Sequence, residues 1–262
     1  MTLDKSAIAA LAKRLEQAET TRTPIIKITD EYPSLDWEDA YAIQTAIRDA
    51  KTARGVRVAG LKAGLTSKAK MKQMNVEEPV FGFLCDYGAY GDSSEIPMDR
   101  YIAPRIEAEI AFVTSRELSG PGCHIAEVLA AIDFVLQAVE VLDSRYENFR
   151  FDLISVVADN TSVAGFVTGG RPRQLAELDL PTLGLVVEKN GEIVEVGAGA
   201  AVLGHPAESV AMLANNLGRR GEVIPAGTFI MSGGITAAIG VERGDNVTVR
   251  FQDLGSLSMR FV

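Results

Sequence analysis

Three glutamates on two predicted β-strands are the residues in the sequence most clearly suited to a chemical function. Within the alternating segment Arg105–Thr114, the side chains of Glu107 and Glu109 share the face opposite the apolar residues. Glu140 interrupts an apolar run over 134–142, and a lone buried carboxylate requires a partner. Carboxylates held together repel unless a cation neutralises them, and oxygen ligands suit Mg²⁺ or Mn²⁺, whereas zinc prefers histidine or cysteine. The glutamates therefore predict a divalent metal site, with a solvated strand face as the alternative for Glu107 and Glu109.

A lysine and two polar clusters are the next candidates. Lys62 lies on a short predicted strand flanked by glycines, where its ammonium group can approach an anion closely; an exposed edge lysine is the alternative. Polar residues also cluster at 143–145 and 158–162, just beyond or between predicted strands, where loops commonly carry functional groups. Capping and turn formation explain these two clusters equally well.

Two helices followed by a series of strands must position these residues. Apolar residues recur at helical spacing over 4–19, and Ser34 or Asp36 is a suitable N-cap for a second helix that ends at Gly55. Beyond it, the pattern predicts one helix over 206–217 and strands over 56–62, 80–84, 105–114, 134–142, 162–168, 183–188, 192–196, 228–231, 246–251 and 256–262. The pair Asn190 and Gly191 predicts a tight hairpin. Because no regular βαβ repeat occurs, we expect an α+β fold with a mixed β-sheet roll, divided into a helical segment at 1–55 and a catalytic domain at 56–262.

Composition and charge exclude several functional classes. The chain has 262 residues, 47% of them hydrophobic, and a net charge of −9 from 26 basic and 35 acidic residues, so no nucleic-acid partner is expected. The N-terminus is polar and no apolar run is long enough to span a bilayer, so neither a signal peptide nor a membrane partner is expected. Cys85 and Cys123 lie far apart, fit a reducing cytoplasm, and are expected to be small buried residues.

The common nucleotide-binding and hydrolase motifs do not occur in the sequence. Gly197 and Gly199 begin a glycine pattern, but Val202 occupies the third glycine position of a dinucleotide-binding fingerprint. Phosphate-binding loops, nucleophile elbows and zinc-protease helices have no matching segment. His124 and His205 lie beside proline and glycine, and we expect each to donate a hydrogen bond that fixes a turn rather than to act in catalysis.

Six short segments together resemble the hydratase/decarboxylase family of catechol meta-cleavage pathways, over nearly the whole chain. They are GLKAGLTS at 60–67, EPVFG at 78–82, IEAEI at 106–110, VEVLDSR at 139–145, ADN at 158–160 and LGHP at 203–206. The fold of that family is similar to the C-terminal domain of fumarylacetoacetase, so the resemblance implies a β-roll of that type. Three further segments resemble its decarboxylase branch more than its hydratase branch: GPGCHI at 120–125, SRYENF at 144–149 and GGITAA at 233–238.

The resemblance implies a Mg²⁺- or Mn²⁺-dependent decarboxylation of 2-oxohex-3-enedioate to 2-hydroxypenta-2,4-dienoate and CO₂, through a dienolate that the metal stabilises. Glu107, Glu109 and Glu140 match the metal-ligand positions of the family residue by residue. Lys62 is expected to position the substrate or to donate a proton near the enolate oxygen. The other expected roles are catalysis by Asp159 and Ser162, substrate binding by Leu65, Arg145, Ser162, Ser232 and Gly233, and support of cationic groups and metal-bound water by Asp143 and Asp159.

Three alternatives stay open at this point. A hydratase of the same family would use the same fold and the same ligands to add water to the dienol. A catalytically silent subunit would stabilise a related enzyme and have no metal affinity, and a hydrolase similar to fumarylacetoacetase would need an acid/base dyad that two loop histidines support weakly. The resemblance also implies a complex with the hydratase of the pathway and association of the chain with copies of itself.

Overall fold

The computed structural model describes residues 3–262. Its helices are α1 (Lys5–Thr21), α2 (Ile28–Glu31), α3 (Trp37–Ala53), α4 (Lys68–Gln73), α5 (Ile125–Ala131), α6 (Leu153–Ala158) and α7 (Pro206–Gly218). Its strands are β1 (Val58–Gly64), β2 (Val80–Cys85), β3 (Ala89–Gly91), β4 (Ser94–Ile96), β5 (Arg105–Thr114), β6 (Ile132–Leu142), β7 (Val163–Arg173), β8 (Gly184–Lys189), β9 (Glu192–Ala198), β10 (Phe229–Met231), β11 (Ile239–Gly240), β12 (Asn246–Phe251) and β13 (Gly255–Phe261). No helix in this part of the chain is long and apolar enough to cross a membrane.

Helices α1 and α3 form the predicted N-terminal layer. Helix α3 begins with a reciprocal capping box, in which the Asp36 side chain accepts from the Asp39 N–H and the Asp39 side chain accepts from the Asp36 N–H. The N–H of Val56 donates to the Lys51 carbonyl and closes the end of α3, so β1 starts two residues later than the pattern predicts. The apolar faces of α1 and α3 pack against β2 and α6 in one cluster that includes Leu11, Leu15, Ile43, Ile47, Phe83 and Val157.

The larger sheet has the strand order β2-β1-β10-β5-β6-β7-β3, with β11 added beside β5. It is mixed, since β1 pairs with β10 in parallel and with β2 antiparallel. Side chains from β2, β5, β6, β7 and β10 meet in a single small cluster, so the sheet curls and encloses an interior. The members of this interior cluster are Leu84, Ala111, Ala138, Val163, Phe166 and Met231.

The smaller sheet has the order β4-β13-β12-β8-β9 and packs against the outer face of the larger one. Strands β8 and β9 form the predicted hairpin, and its two turn residues, Asn190 and Gly191, have φ angles of 55° and 86°. Two consecutive positive φ angles are the signature of the turn that an Asn-Gly pair favours, because its twist matches that of the flanking strands.

The α+β class and the mixed sheet were predicted correctly, and the differences lie in short elements. Helices α4, α5 and α6 have six or seven residues each, and β3, β4 and β11 have two or three. Segments of this length contain less than two full turns or too few alternations to show a period. Tertiary packing, rather than local sequence, determines their conformation.

The two histidines have a different role from the predicted one, because both accept hydrogen bonds instead of donating them. Nδ1 of His124 accepts from the Glu127 N–H at the start of α5, and Nδ1 of His205 accepts from the Ala207 N–H at the start of α7. Each is thus a helix N-cap, and α7 also has Pro206 in its first turn. An acid/base dyad of a fumarylacetoacetase-like hydrolase is not formed by these side chains.

Replacing His205 with alanine is expected to lower the free energy of unfolding by about 1 kcal/mol, the usual value of an N-cap. Burial lowers the pKa of His205 below its ordinary value, so the folded state favours the neutral ring that can accept at Nδ1. The unfolded chain then binds more protons below pH 6.5, so the stabilisation is complete above pH 6.5 and is lost as the pH falls from there through the lower pKa of the folded state. Urea titrations at pH 5 and pH 8 should show a larger loss of stability at pH 5 for the native chain than for His205→Asn, which keeps a cap without titrating; comparing the two chains cancels the groups that titrate in both.

Candidate metal centre and active site

The three predicted ligands lie together on the inner face of the curled sheet. In the antiparallel pair of β5 and β6, Glu107 lies directly opposite Glu140, and Glu109 follows two residues along the same face of β5. Each contributes a carboxylate oxygen to a group in which all the oxygens lie within 4.8 Å of one another. Glu109 and Glu140 are fully buried and Glu107 is partly exposed. The strand register, which the sequence does not show, therefore brings the carboxylates to the spacing of a cation site.

Charge and hydrogen bonding show that these residues fit a divalent cation. Three carboxylates lie beside one ammonium group, that of Lys62, so acidic groups outnumber basic ones in the site. One oxygen of Glu109 and Oε2 of Glu140 are buried without a protein partner, and Oε1 of Glu140 is paired only with the ammonium group of Lys62, so unpaired acceptors remain, which is costly unless another partner is present. Because the group contains neither histidine nor cysteine, its donors favour Mg²⁺ or Mn²⁺ over zinc.

Lys62 is a buried residue on an interior strand of the sheet rather than an exposed edge lysine. Strand β1 lies between β2 and β10, and Lys62 is 2% exposed. Its Nζ lies 3.1 Å from Oε1 of Glu140, across the interior from the strand that carries it. The ammonium group is therefore fixed beside the carboxylates, where it can also meet an anionic ligand bound at the same place.

Burial and the nearby charge of Glu140 both raise the pKa of Glu109. Desolvation raises the pKa of the Glu109 carboxyl well above its ordinary value, and the nearby charge of Glu140 raises it further. The ammonium group of Lys62 and a hydrogen bond from the backbone of Gly233 act in the opposite direction. The ionised form of Glu109 is therefore costly without a cation, and a cation bound among the carboxylates would stabilise it.

The loop after β10 holds Glu109 in position. The N–H of Gly233 donates to Oε2 of Glu109 at 2.7 Å, which leaves Oε1 without a protein partner. On either side of Gly233, the backbone N–H of Ser232 donates to the Ile110 carbonyl and that of Ile235 donates to the Ala108 carbonyl. The loop therefore runs beside β5 with extra residues inserted between these two hydrogen bonds. Such an insertion changes the direction of a backbone group, and here it points the Gly233 N–H toward the Glu109 carboxylate.

Replacing Gly233 with alanine is expected to weaken metal binding by about 10- to 100-fold, as for other residues that orient ligands. Gly233 has a φ of 111°, and a methyl group there would collide with Oγ1 of Thr66. The loop must then move and carry its N–H away from Glu109. Isothermal titration with Mn²⁺ would measure the loss.

The matched control for this change is Gly240→Ala. Gly240 lies on β11, a few residues after Gly233. No atom lies within 4 Å of the position that a methyl group would take there, and the residue does not require a positive φ. Metal binding by the Gly240 variant should equal that of the native chain. Equal affinities for all three proteins would contradict the positioning role of Gly233.

Arg145 and Asp159 bind one another and the backbone, in contrast to the direct contacts predicted for them. The guanidinium group of Arg145 donates to the Asp159 carboxylate and to the backbone carbonyls of Asp143, Asp159 and Val163. Both side chains are buried, and desolvation raises the pKa of Asp159 to about 7 although the charge of Arg145 lowers it. Because its N–H donors are directed at protein groups, Arg145 stabilises the connection between β6 and β7. It does not present a pair of unoccupied N–H groups to a substrate carboxylate.

Asp143 and the residues after Asp159 complete this connection. Both oxygens of Asp143 accept backbone N–H groups, from Ile102 and Ala103, so Asp143 fixes the approach to β5 rather than a cation. Asn160, Thr161 and Ser162 follow with φ angles of 46°, 54° and 59°. Three consecutive left-handed residues without a glycine are strained, and such strain persists where the surrounding structure requires it.

Three buried hydroxyl groups near these residues have no hydrogen-bond partner. They belong to Ser162, Ser232 and Thr161, of which the first two were predicted from the sequence and the third was not. Thr161 lies against Gly82, the residue paired with Lys62 across the β1–β2 ladder. The local sequence does not predict a role for Thr161, because its side chain faces the interior only as a result of the left-handed turn. Leu65, also predicted, begins the loop after β1 with a φ of 57°.

Comparison with known proteins identifies the family of the chain. The family described as "Fumarylacetoacetate (FAA) hydrolase C-terminal" matches residues 53–262, which is most of the chain. The chain belongs to this family. Its predicted β-roll is therefore confirmed.

The family members most similar to the chain include decarboxylases. A "4-oxalocrotonate decarboxylase" from Pseudomonas sp. (strain CF600) is 60% identical over 100% of this chain and 99% of its own length. The solved structure "4-oxalocrotonate decarboxylase from Pseudomonas putida G7 - complexed with magnesium and adipate" is 59% identical, with a TM-score of 0.98 over 100% of this chain and 99% of that chain. A "2-oxo-hept-4-ene-1,7-dioate hydratase" from Escherichia coli is 40% identical over 99% of both chains. Within the family, the chain is thus considerably more similar to decarboxylases than to this hydratase.

Proposed function

We propose that the protein is a metal-dependent decarboxylase that converts 2-oxohex-3-enedioate to 2-hydroxypenta-2,4-dienoate and CO₂, with Mg²⁺ or Mn²⁺ as cofactor. The observation that carries this proposal is 60% identity over the full chain to a decarboxylase, against 40% to a hydratase. The relative that was solved with magnesium also binds adipate, a six-carbon dicarboxylate of the same chain length as the proposed substrate. The cluster of Glu107, Glu109 and Glu140 is the proposed ligand set.

The proposed substrate fits between the carboxylate cluster and Ser162. The N–H of Asp143 donates to the Ser162 carbonyl, so Ser162 lies opposite a residue three positions beyond Glu140 on the same run of chain. At about 3.4 Å per residue this is a separation of about 10 Å. A six-carbon chain with bonds of about 1.5 Å reaches about 6 Å between its carboxyl carbons, which leaves room for the bonds to a cation and a hydroxyl group.

Each proposed contact has a defined task. A divalent cation at the three glutamates supplies Lewis-acid polarisation of the 2-oxo acid end of the substrate. Lys62 donates a hydrogen bond or a proton to the 2-oxo oxygen, and Ser162 holds the carboxylate that leaves. Leu65, Ser232 and Gly233 line the path between them, whereas Arg145 and Asp159 act indirectly by holding the 160–162 turn.

The bond changes follow from this placement. The bond between C5 and C6 breaks, and its electron pair forms the C4–C5 double bond while the C3–C4 pair shifts to C2–C3. The carbonyl pair of C2 moves to oxygen, where the ammonium group of Lys62 stabilises the charge and provides the proton. The apolar interior cluster around Ala111 and Phe166 lies on the same inner face and limits hydration of the leaving carboxylate, which favours its loss as neutral CO₂.

Replacing Ser162 with alanine is expected to raise the KM for the dicarboxylate by about 10- to 100-fold, the value of one hydrogen bond to a charged group. Metal affinity should not change, since Ser162 is outside the carboxylate group. Steady-state kinetics together with Mn²⁺ titration measure both quantities. Ser256→Ala on the exposed surface is the control, and an unaltered KM in the Ser162 variant would remove Ser162 from the substrate site.

The experiment that tests the function is a reaction of the purified protein with 2-oxohex-3-enedioate, with Mg²⁺ or Mn²⁺, in the presence and absence of a chelator. Metal-dependent release of CO₂ with formation of the dienol supports the proposal. Conversion of 2-hydroxypentadienoate to 4-hydroxy-2-oxopentanoate without CO₂ would replace it with the hydratase. Failure to bind metal and inactivity on both substrates would favour the silent subunit.

We also propose a cytoplasmic location and two kinds of association. The cysteines Cys85 and Cys123 are buried and free, which suits a reducing compartment. The dienol product ketonises, so a complex with the hydratase that consumes it would shorten its lifetime in solution. Association with copies of the same chain is the second expectation.

A further inference from the structure

The outer edge of β2 is bound by a side-chain amide instead of a neighbouring strand. Among the described residues, β2 pairs with β1 alone, which leaves its other edge without a ladder. On that edge, Oδ1 of Asn160 accepts from the Phe83 N–H at 3.0 Å, and Nδ2 of Asn160 donates to the Phe83 carbonyl at 2.9 Å. One buried side chain thus makes both of the hydrogen bonds that a residue on a paired strand would make.

A second amide binds the same edge two residues away. Nε2 of Gln44, on α3, donates to the Phe81 carbonyl at 2.8 Å and to the Val157 carbonyl, in α6, at 2.9 Å. Alternate residues of a strand direct their backbone groups to the same edge, so Phe81 and Phe83 are bound on one side. We call this contact between β2 and residues 157–162 the β2 seam.

The β2 seam lies beside Lys62 and leaves no space for a side chain at position 82. Gly82 is paired with Lys62 in the β1–β2 ladder. A methyl group on Gly82 would lie 2.9 Å from Oδ1 of Asn160 and 2.5 Å from Oγ1 of Thr161, which is closer than carbon atoms approach such groups. The turn at 160–162 therefore packs directly against the backbone of β2, and this contact fixes its distance from Lys62.

Two sets of hydrogen bonds hold this strained turn in place. From the side of β6, Arg145 donates to Asp159 and to the backbone around it. From the side of β2, Asn160 binds Phe83. Strained backbone persists where the surrounding structure over-determines it, so loss of the second set would release the turn on the side that faces the site.

We propose that Asn160 is a positioning residue for the substrate and acts through Ser162. Its amide fixes the turn to β2, and the turn then directs the unpartnered Ser162 hydroxyl toward the distal carboxylate of a dicarboxylate. This inference rests on the proposed function, which gives Ser162 that contact. Asparagine suits the position because it tolerates the left-handed φ of 46° and offers one acceptor and one donor to a single residue of β2.

The first test is a double-mutant cycle on adipate binding to the Mg²⁺-loaded protein, measured by isothermal titration. Asn160→Gly keeps the left-handed conformation without strain and removes the amide. We expect Asn160→Gly and Ser162→Ala each to raise the dissociation constant about tenfold, and the double variant to raise it by about the same factor, because a displaced hydroxyl has no contact left to lose. A rise of about a hundredfold in the double variant, the product of two independent effects, would overturn the proposal, as would native affinity in Asn160→Gly.

Asn148→Gly is the matched control for this cycle. Asn148 also has a left-handed φ, 56°, and lies in the same connection between β6 and β7, but it is exposed. This variant should bind adipate as the native chain does. Titration with Mn²⁺ should give native metal affinity for every variant, because Asn160 and Ser162 are outside the glutamate group. Parallel loss of metal and adipate affinity in Asn160→Gly would show a general loss of structure and contradict the positioning role.

The second test moves the turn from the opposite side and leaves Asn160 intact. Gly82→Ala should raise the dissociation constant of adipate about tenfold, because its methyl group displaces the turn and the Ser162 hydroxyl with it. Gly91→Ala on β3 is the control, since no atom lies within 4 Å of its added methyl group. Native adipate affinity in the Gly82 variant would count against the β2 seam as the device that places Ser162.

The same measurements separate this inference from the proposed function. If adipate binding follows the expected pattern but 2-oxohex-3-enedioate releases no CO₂, the decarboxylase is refuted and the role of Asn160 in dicarboxylate binding is supported. If the native chain loaded with Mg²⁺ does not bind adipate, both the proposed substrate class and the role of Asn160 are refuted.

Discussion

Replacing Glu140 with glutamine is expected to reduce decarboxylation by about a thousandfold or more and to remove most of the metal affinity. Glu140 lies opposite Glu107 in the ladder; its Oε1 is paired with Lys62, and its Oε2 is buried without a protein partner. The change removes one of three negative charges and presents an amide N–H group to the cation. Carbon dioxide release and Mn²⁺ titration measure the two effects on the same preparation.

A thermal measurement separates loss of metal binding from loss of the fold. Ligands that bind the native state raise the melting temperature by an amount that increases with their affinity, so Mg²⁺ should stabilise the native chain and not the Glu140→Gln chain. Glu117→Gln, at an exposed position, is the control and should behave as the native chain does. Native metal content together with full activity in the Glu140 variant would refute its assignment as a ligand.

The second large effect is expected from Lys62→Met, with metal affinity within a few-fold of the native value and kcat lower by about 10²- to 10⁴-fold. Methionine fills the space of the lysine stem but cannot donate to the 2-oxo oxygen. Because Nζ lies 3.1 Å from Glu140, the change also removes the cation that faces the carboxylates in the metal-free protein. Metal should therefore raise the melting temperature of this variant more than that of the native chain.

The pattern of the Lys62 results distinguishes a chemical role from a structural one. Lys13→Met, at an exposed position on α1, provides the control for the loss of one positive charge. If Lys62→Met lost its metal but retained kcat when metal was supplied in excess, Lys62 would be a counterion for Glu140 only. Unaltered kcat and KM would exclude it from the reaction.

Local features of the chain were predictable where they depend on residues close in sequence. The capping residue Asp36, the turn at Asn190 and Gly191, and strand β5 with its exact bounds all follow from short-range patterns. The common face of Glu107 and Glu109 is of this kind as well, because alternation on a strand is a local rule. The tendency of the carboxylates to require a cation was evident from their type alone.

Other features depended on contacts between distant residues. The contacts of Arg145 could not be predicted, because its guanidinium group meets Asp159 and carbonyls brought near by the 160–162 turn. The two histidines cap helices through Nδ1, and the direction of those hydrogen bonds depends on the backbone ahead of them. No pattern in the sequence predicts three left-handed residues without a glycine.

The sequence by itself thus determined the α+β class, the face shared by Glu107 and Glu109, and the family to which the motifs belong. Only the tertiary structure decided that Glu140 lies opposite Glu107, that Lys62 reaches Glu140 across the interior, and that the Gly233 N–H holds Glu109. The physical reason is that side-chain periodicity is a property of a single strand. Register between strands and the curl of a sheet result from the packing of the whole chain.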